Sequence, residues 1–552
     1  MAQILFAIPI LSSKAGVDSL FCCISIFTVI SQCFFEDQLA VECSFVLMNF
    51  IEFNFIEIGF NNQRDYISNL LTNFQKHFIM NTVSLNLDST TKKEVIFMFI
   101  GREEELKILS SLLEKPSASA MIYGKRKVGK TTLIKKALEN SKDKMVYYEC
   151  LKAPLQENID GFVAVLVREK IIPVQLAFKS FNDVFAYLNT LDSTFNIVID
   201  EYPYLKTFTT PETVDSIFQS IIDNHITNVR LFVSGSHIGM MKDLLEEKNA
   251  LYGRFTVFIC LKELDYLTCS EFYRSKSVYD KIAMYGVFGG SPYINCALDE
   301  RLSLKENIIN TILNPSSYVY GYTEHLLISD YTNALNAERI FFAISNGHQK
   351  YKEIEEKLGL KTTGNLSKQI DALENMDIIS RVYPINKPND KKKLSFEVKD
   401  NLLRFYYAFI YKNKSALQML GAEAFYEEYI EDSIVTFISH RFEEIARTYF
   451  SLCVKKRKLR GVSNIGTFYY DDSANKKNGE FDVVLERKNA YDIYEVKYYS
   501  VPMRLKEMQE EERQVRAIKG LQVGTIGFIA ASGYEEMPGE YTCILADELY
   551  NL

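Results

Sequence analysis

A chain of 552 residues, 47% hydrophobic and 24% charged, is too long for one ordinary core and too ordinary in composition for a fibrous or extensively disordered protein, so three or four domains are expected. A net charge of −8 excludes a uniformly basic nucleic-acid coat, while leaving room for local basic surfaces such as Lys455, Lys456, Arg457, Lys458 and Arg460. The ten cysteines are scattered without a C-x-x-C pair, which disfavours structural zinc and fits reduced thiols in a cytoplasmic protein.

Residues 1–97 stand apart. Lys14 is the only basic residue before Arg64, so no charged n-region precedes the apolar stretch and a signal peptide is disfavoured. The 17 uncharged residues between Asp18 and Glu36 reach only the lower limit for a membrane span, and Ser25, Thr28, Ser31 and Gln32 interrupt them. Membrane insertion is therefore the disfavoured reading. A small buried helix, or an extension upstream of a start at Met80 or Met98, are the alternatives.

From Glu103 to Leu113 the pattern predicts an amphipathic helix, broken by Lys115-Pro-Ser-Ala-Ser. Ala120–Tyr123 then reads as a buried strand ending at Gly124, followed by a helix from Thr131. Strands over Met145–Tyr148, Phe195–Ile199 and Arg230–Ser234 continue the alternation. This predicts an α/β fold with a parallel sheet covered by helices on both faces.

Gly124-Lys-Arg-Lys-Val-Gly129-Lys130-Thr131-Thr132 fits G-x-x-x-x-G-K-[ST] between strand and helix, the pattern of a P-loop that binds ATP. The glycines let backbone N–H groups turn inward and the helix N-terminus adds positive dipole against phosphate. Lys130 is expected on the β and γ oxygens and Thr131 on Mg2+. Phe195-Asn-Ile-Val-Ile-Asp200-Glu201, roughly seventy residues on, is an apolar strand ending in two carboxylates. It places Asp200 beside the metal and Glu201 where it can polarise water. Ser236, favoured over Ser234, is a candidate for sensing the γ-phosphate or positioning water, with a simple turn as the alternative.

From about Leu261 the pattern becomes largely helical. Ala337–Ile344, Tyr351–Leu358 and Asn365–Asn375 then form three helices, and Ile378–Tyr383 and Lys393–Val398 a two-stranded wing. In this winged-helix pattern the third helix could enter a major groove of DNA, with Lys361, Lys368 and the wing lysines on phosphates. Because Asp371, Glu374 and Asp377 share that region, a spacer packed on the ATPase is the equal alternative.

In the last part, Glu480-Phe-Asp482-Val-Val-Leu and Ile493-Tyr-Glu495-Val-Lys497 fit the D…(D/E)-x-K arrangement of the PD-(D/E)XK nuclease fold. Two antiparallel strands joined at Arg487–Ala490 would bring Asp482 and Glu495 together, and alternation would put Glu495 and Lys497 on one face. Glu443, on the helix around Phe442–Tyr449, could supply a third ligand. Such oxygen donors suit Mg2+ or Mn2+, with Lys497 stabilising the phosphate or orienting the nucleophile. A DNA-binding remnant and a purely structural domain are the alternatives.

Phe99-Ile-Gly101-Arg102-Glu103-Glu-Glu-Leu106, the phosphate loop, Ile199–Leu205, Leu251-Tyr-Gly-Arg254-Phe and Gly289-Gly-Ser-Pro-Tyr293 together resemble the archaeal and bacterial AAA+/STAND-type ATPases, over roughly residues 98–552. The resemblance implies that the segment from Phe99 through Arg102 to Glu105 wraps the adenine. It makes Arg254 a candidate finger or sensor arginine, from the same or a neighbouring subunit of a homo-oligomer, and has Gly289-Gly290 open a helical lid. A plain ion pair is the other reading of Arg254. These ATPases often end in a nuclease-like domain. Ser291 departs from the aliphatic residue usual there, and residues 1–97 have no counterpart.

The organisation expected is an unassigned segment at 1–97, a P-loop ATPase with helical lid at 98–330, a winged helix at 331–400 and an α+β nuclease-like domain at 401–552. The expected function is an ATPase whose nucleotide cycle controls the terminal effector. A switch acting through protein partners is the alternative.

Overall fold

The computed structural model describes residues 99–322, 337–359, 365–472 and 477–552. The expectations placed on residues 1–97 and on Lys361 fall outside them. No helix among the described residues is long and apolar enough to cross a membrane.

Helix α1 (Glu103–Leu112) leads into β1 (Ala118–Tyr123), α2 (Lys130–Leu138), β2 (Lys144–Glu149), α3 (Leu155–Arg168), α4 (Phe181–Leu188), β3 (Phe195–Asp200), α5 (Pro211–Asn224), β4 (Val229–Gly235) and β5 (Val257–Cys260). The strands form one parallel sheet in the order β2-β3-β4-β1-β5. Every residue of β1, β3 and β4 is buried, as expected of strands covered on both faces. On one face Val146, Ile197, Leu231 and Met121 pack under α3, α4 and α5. On the other, Ile122, Val198 and Phe232 pack with Leu109 and Leu112 of α1 and Leu133 and Ile134 of α2.

A short helix at Tyr266–Cys269 precedes α6 (Val278–Phe288), and α7 (Leu304–Thr311) follows. Ser303 and Glu306 cap α7 reciprocally: the Ser303 hydroxyl accepts the Glu306 N–H and the Glu306 carboxylate accepts the Ser303 N–H. Then come α8 (Ala337–Ser345), α9 (Tyr351–Leu358), α10 (Asn365–Asn375) and the antiparallel pair β6 (Ile379–Val382) and β7 (Ser395–Val398). Helix α11 (Asn401–Phe405), a π-helical turn at Tyr406–Ile410, α12 (Lys414–Tyr429) and α13 (Ile434–Lys455) lead to a second sheet. It runs in the order β12-β11-β10-β9-β8, with β8 (Asn464–Asp472), β9 (Lys477–Glu486), β10 (Tyr491–Lys497), β11 (Val523–Ala530) and β12 (Thr542–Leu545), and α14 (Leu505–Arg516) crosses between β10 and β11.

One continuous core joins Ile282 and Phe288 of α6, Ile340 of α8, Leu373 of α10, Phe396 of β7, Phe405 of α11, Phe442 of α13 and Leu485 of β9. The Tyr266 hydroxyl donates to the Leu549 carbonyl at 2.6 Å, and Tyr279 stacks on Tyr498 at 4.2 Å between ring centres. The helices after the first sheet thus share one core with the terminal sheet.

The hairpin loop after β6 is held by protein. Ile385 is buried and its N–H donates to the Thr467 carbonyl on edge strand β8 at 2.7 Å, Asn386 pairs with Tyr469, and Lys393 lies over the Tyr469 ring at 3.5 Å. Of the wing lysines expected on phosphate, Lys393 thus has its ammonium on an aromatic face, while Lys391 and Lys392 are exposed. On α10, Asp371 and Glu374 pair with Arg381 of β6, and Lys368 is exposed.

Candidate nucleotide site and terminal carboxylate cluster

The phosphate loop leaves β1 at Gly124, where a side chain is excluded because an added Cβ would stand 2.2 Å from the Leu261 carbonyl oxygen. Gly129 takes φ +93°, the left-handed region that favours glycine. Lys130 is buried at the start of α2, and its ammonium donates to the carbonyls of Gly124 and Lys125, both at 3.0 Å. The loop is thereby curled around its own lysine. Thr132 stands exposed on the first turn of α2.

Asp200 at the end of β3 gathers four donors. Thr131 Oγ1 and the Tyr147 hydroxyl donate to Oδ2, each at 2.7 Å, Ser234 Oγ donates to Oδ1 at 2.5 Å, and the Glu201 N–H to Oδ1 at 3.0 Å. Burial opposes ionisation here, but the Ser234, Thr131 and Tyr147 hydrogen bonds outweigh it and hold the carboxyl below its usual range. A charged Asp200 beside the Thr131 hydroxyl is a pair of oxygen donors that fits Mg2+. Glu201 has φ +52°, uncommon for a residue with a side chain, and its carboxylate accepts the Ser236 hydroxyl at 2.9 Å and the Ser236 N–H at 3.1 Å. Sequence reasoning singled out Ser236 but left Ser234 as the lesser choice and missed Tyr147. The signal for Tyr147 was its place in β2, which pairs with β3.

Arg102, at φ +72°, reaches across to the Val128 carbonyl of the loop at 3.3 Å and to the Lys262 carbonyl at 2.5 Å. Phe99 packs with the core that contains Val128 and Leu133. The segment expected to wrap the adenine therefore borders the loop. At the lid turn an added Cβ on Gly290 would lie 2.0 Å from the Leu264 carbonyl oxygen, and the Ser291 hydroxyl donates to the Lys127 carbonyl at 3.2 Å.

Arg254 lies elsewhere. Its carbonyl accepts the hydroxyl of Ser119, near the start of β1, and its guanidinium pairs with Asp223 near the end of α5 at 3.1 Å. These positions mark the edge where the parallel strands begin, whereas the phosphate loop lies where β1 ends. At ~3.3 Å per residue along a strand of 6 residues, the two edges are separated by nearly the sheet's full height. The expectation that Arg254 reaches the γ-phosphate of its own chain is corrected accordingly.

In the second sheet β9 and β10 are antiparallel, with Tyr494 opposite Val483, so the next pair outward sets Asp482 beside Glu495. Lys497 lies on the same face as Glu495 and pairs with it at 2.6 Å, and with Glu511 of α14 at 3.6 Å. Glu443 faces them from α13, with His440 3.6 Å away, and Arg447 of that helix donates to the Asp482 carbonyl at 2.7 Å. Asp482 is exposed at its surface, but desolvation by the surrounding protein, then the Glu443 carboxylate and to a lesser extent Glu495 and Glu480, push its carboxyl above the usual range, with Arg447 opposing. Burial also raises Glu495, against the pull of Lys497. Glu511 and His440 were not foreseen. Among the described residues no three His, Cys, Asp or Glu side chains stand close enough together to hold a metal ion. Glu443, Asp482 and Glu495 thus interact electrostatically without forming a closed ligand set.

Residues 99–294 match the model of a family described as an ATPase domain predominantly from Archaea, and residues 406–514 match one described as archaeal and bacterial proteins of unknown function. An uncharacterized protein of Methanocaldococcus jannaschii is 29% identical over 369 residues, 66% of this chain and 79% of that protein. An uncharacterized ATP-binding protein of the same organism is 48% identical over 56 residues, 10% of this chain and 95% of its own. Among solved structures, the Walker-type ATPase of Pyrococcus abyssi is similar at a TM-score of 0.41 and 18% identity, covering 58% of this chain and 99% of that one. The ORC2 protein of Aeropyrum pernix follows at 0.40 and 14%, covering 58% and 94%. With its phosphate loop, its Asp200–Glu201 pair and this family match, the segment 99–294 is an ATP-binding ATPase domain of the P-loop class.

Proposed function

We propose that this chain is a cytoplasmic ATPase in which the nucleotide cycle controls a C-terminal, nuclease-like effector acting on DNA. ATP with Mg2+ is the expected ligand of the first site. Lys130 would hold the β and γ oxygens, Thr131 and Asp200 the cation, and Glu201 the attacking water.

The observation that carries the effector reading is the placement of Asp482, Glu495 and Lys497 on one face of neighbouring strands, with Glu443 opposite. These carboxylates, which do not form a closed ligand set, would draw together on a compensating cation, and oxygen donors select Mg2+ or Mn2+. The bound ion would supply an activated water and neutralise phosphate charge. Lys497 would orient or stabilise the scissile phosphate. The three helices and the β6–β7 pair are read as a winged helix, with Lys368 as its DNA-facing cation. Arg254, set far from the phosphate loop of its own chain, fits a finger supplied to a neighbouring copy in a homo-oligomer.

The test is cleavage of plasmid and single-stranded DNA by wild type and Asp482→Ala, with Mg2+ or Mn2+, with and without ATP. The proposal expects metal-dependent cleavage by wild type only. Equal cleavage by both proteins, or none by either, contradicts it. The docking of Ile385 and Lys393 onto β8 favours a second reading, a nucleotide-dependent switch that acts through protein partners with an inert terminal domain. Retained ATP turnover without cleavage or Mn2+ binding would select that reading.

A further inference from the structure

Between the phosphate loop and the terminal sheet runs a sequence of charged contacts that the ATPase reading alone does not use. Lys125, the first residue after Gly124, pairs with Glu263 at 3.1 Å. Glu263 also packs against the lid turn, where a Cβ added at Gly290 would lie 3.0 Å from the Glu263 Cβ, and the next residue, Leu264, donates its N–H to the Gly290 carbonyl at 2.9 Å. Burial pushes the Glu263 carboxyl up and the adjoining Asp400 pushes it further, while Lys125 opposes both. Asp400 is the N-cap of α11, accepting the Leu403 N–H at 2.9 Å.

At the other end of this five-residue helix the buried Arg404 donates to Glu444 of α13 at 2.6 Å and lies 3.5 Å from Glu397. Arg441 holds the same oxygen of Glu444 at 3.0 Å. Glu444 directly follows Glu443 in α13. A cavity of about 150 Å3, lined by Lys125, Arg126 and Ser236 on one side and by Asp400 and Leu403 on the other, lies along the input end. The loop and the start of α11 therefore border the same cavity.

We propose that α11 is a coupler that transmits occupancy of the phosphate loop to the helix carrying Glu443, with Lys125 and Glu263 at its input and Arg404 and Glu444 at its output. A triphosphate arriving at the loop competes with Glu263 for Lys125. Glu263 and Asp400 then face one another without their cation, and two adjoining, partly buried carboxylates repel. Displacing Asp400 relieves it. Because α11 is short and packed, displacement of its cap moves Arg404, and the clamp on Glu444 carries α13 with it. The consequence for Asp482 and Glu443 rests on the cation-site reading proposed above; the movement itself does not.

Hydrogen–deuterium exchange on the full chain tests this, with no nucleotide, with ADP, and with a slowly hydrolysed ATP analogue plus Mg2+. Wild type is expected to change protection of amides in residues 400–405 and 438–448 by about fivefold or more on binding the analogue, the lower end of usual coupling strengths. Lys130→Ala, which loses the nucleotide, is expected to show neither change. Arg404→Gln is expected to keep the response at 400–405 and lose it at 438–448, and Arg404→Lys to restore part of it. Should Arg404→Gln not fold, Glu263→Gln tests the input: with one carboxylate of the pair made neutral, both segments are expected to stay silent when the analogue binds. Analogue binding by wild type that leaves 438–448 unchanged overturns the proposal, as does undiminished transmission in Arg404→Gln or Glu263→Gln. Calorimetry with Mn2+ alone separates the two claims. Lack of binding in every nucleotide state defeats the cation-site reading, while the exchange result decides the coupler.

Discussion

One oxygen of the Glu201 carboxylate accepts two hydrogen bonds from Ser236, one from its hydroxyl and one from its backbone N–H. The end of β4 thereby fixes the carboxylate that follows β3. Ser236→Ala removes the hydroxyl and leaves the N–H, so about tenfold slower ATP turnover is expected, equivalent to a hydrogen bond worth roughly 1–1.5 kcal/mol. Nucleotide affinity is expected to stay within about twofold of wild type, well under the worth of that bond. Steady-state turnover combined with equilibrium ATP binding checks this; a loss of affinity with normal turnover would place Ser236 on the phosphate instead.

Arg254 pairs with Asp223 at the sheet edge remote from the phosphate loop. Arg254→Ala is therefore expected to leave turnover unchanged at dilutions where the chain is monomeric. Any defect belongs at concentrations where copies associate. Turnover per chain measured across a dilution series, with mass determined in parallel, decides the matter, and a fall of about tenfold in the monomer, ~1.4 kcal/mol in barrier, would return Arg254 to its own site.

Asp215, on the buried face of α5, accepts from Lys206, Tyr202 and Asn249. Lys206→Met leaves that carboxylate without its cation and is expected to destabilise the ATPase domain by about 3–5 kcal/mol. Urea unfolding monitored by circular dichroism measures it, since the chain has no Trp. A shift below about 1 kcal/mol would mean that the Tyr202 and Asn249 hydrogen bonds suffice to hold the charge.

At the terminal cluster, Asp482→Asn removes the carboxylate that Glu443 and Glu495 crowd. Calorimetric Mn2+ binding is expected in wild type and absent in this variant. Lys497→Met is expected to retain Mn2+ and lose cleavage, because its ammonium pairs with Glu495 rather than acting as a ligand. Undiminished Mn2+ binding by Asp482→Asn would move the metal elsewhere.

Local chemistry made much of this legible in the sequence. The loop from Gly124 to Thr131 and the strand ending at Asp200 carry their own constraints, a tight turn and an apolar run, so position and type could be read together. The β9–β10 hairpin was readable from its two alternating runs, and its register follows from the turn closed by Arg487 and Ala490. Long-range placement was less accessible. That Arg254 belongs to the far edge depends on which end of β5 it precedes and on Asp223, 31 residues away. That Ile385 inserts at β8 depends on an edge strand whose aromatic run, Phe468-Tyr-Tyr470, was not read as a strand. Tyr147 and Glu511 reach their partners only through sheet order and a crossover helix, which no local spacing encodes.

Nucleotide chemistry at Lys130, Thr131, Asp200 and Glu201 underlies every other function proposed for the chain. The most direct measurement is ATP binding and turnover, with Mg2+, by wild type, Lys130→Ala and Glu201→Gln. Wild type is expected to bind and hydrolyse ATP. Lys130→Ala is expected to lose tight binding, and Glu201→Gln to bind normally while turning over about a hundredfold or more slowly. Wild-type turnover in Lys130→Ala, or in Glu201→Gln, would contradict the assignment.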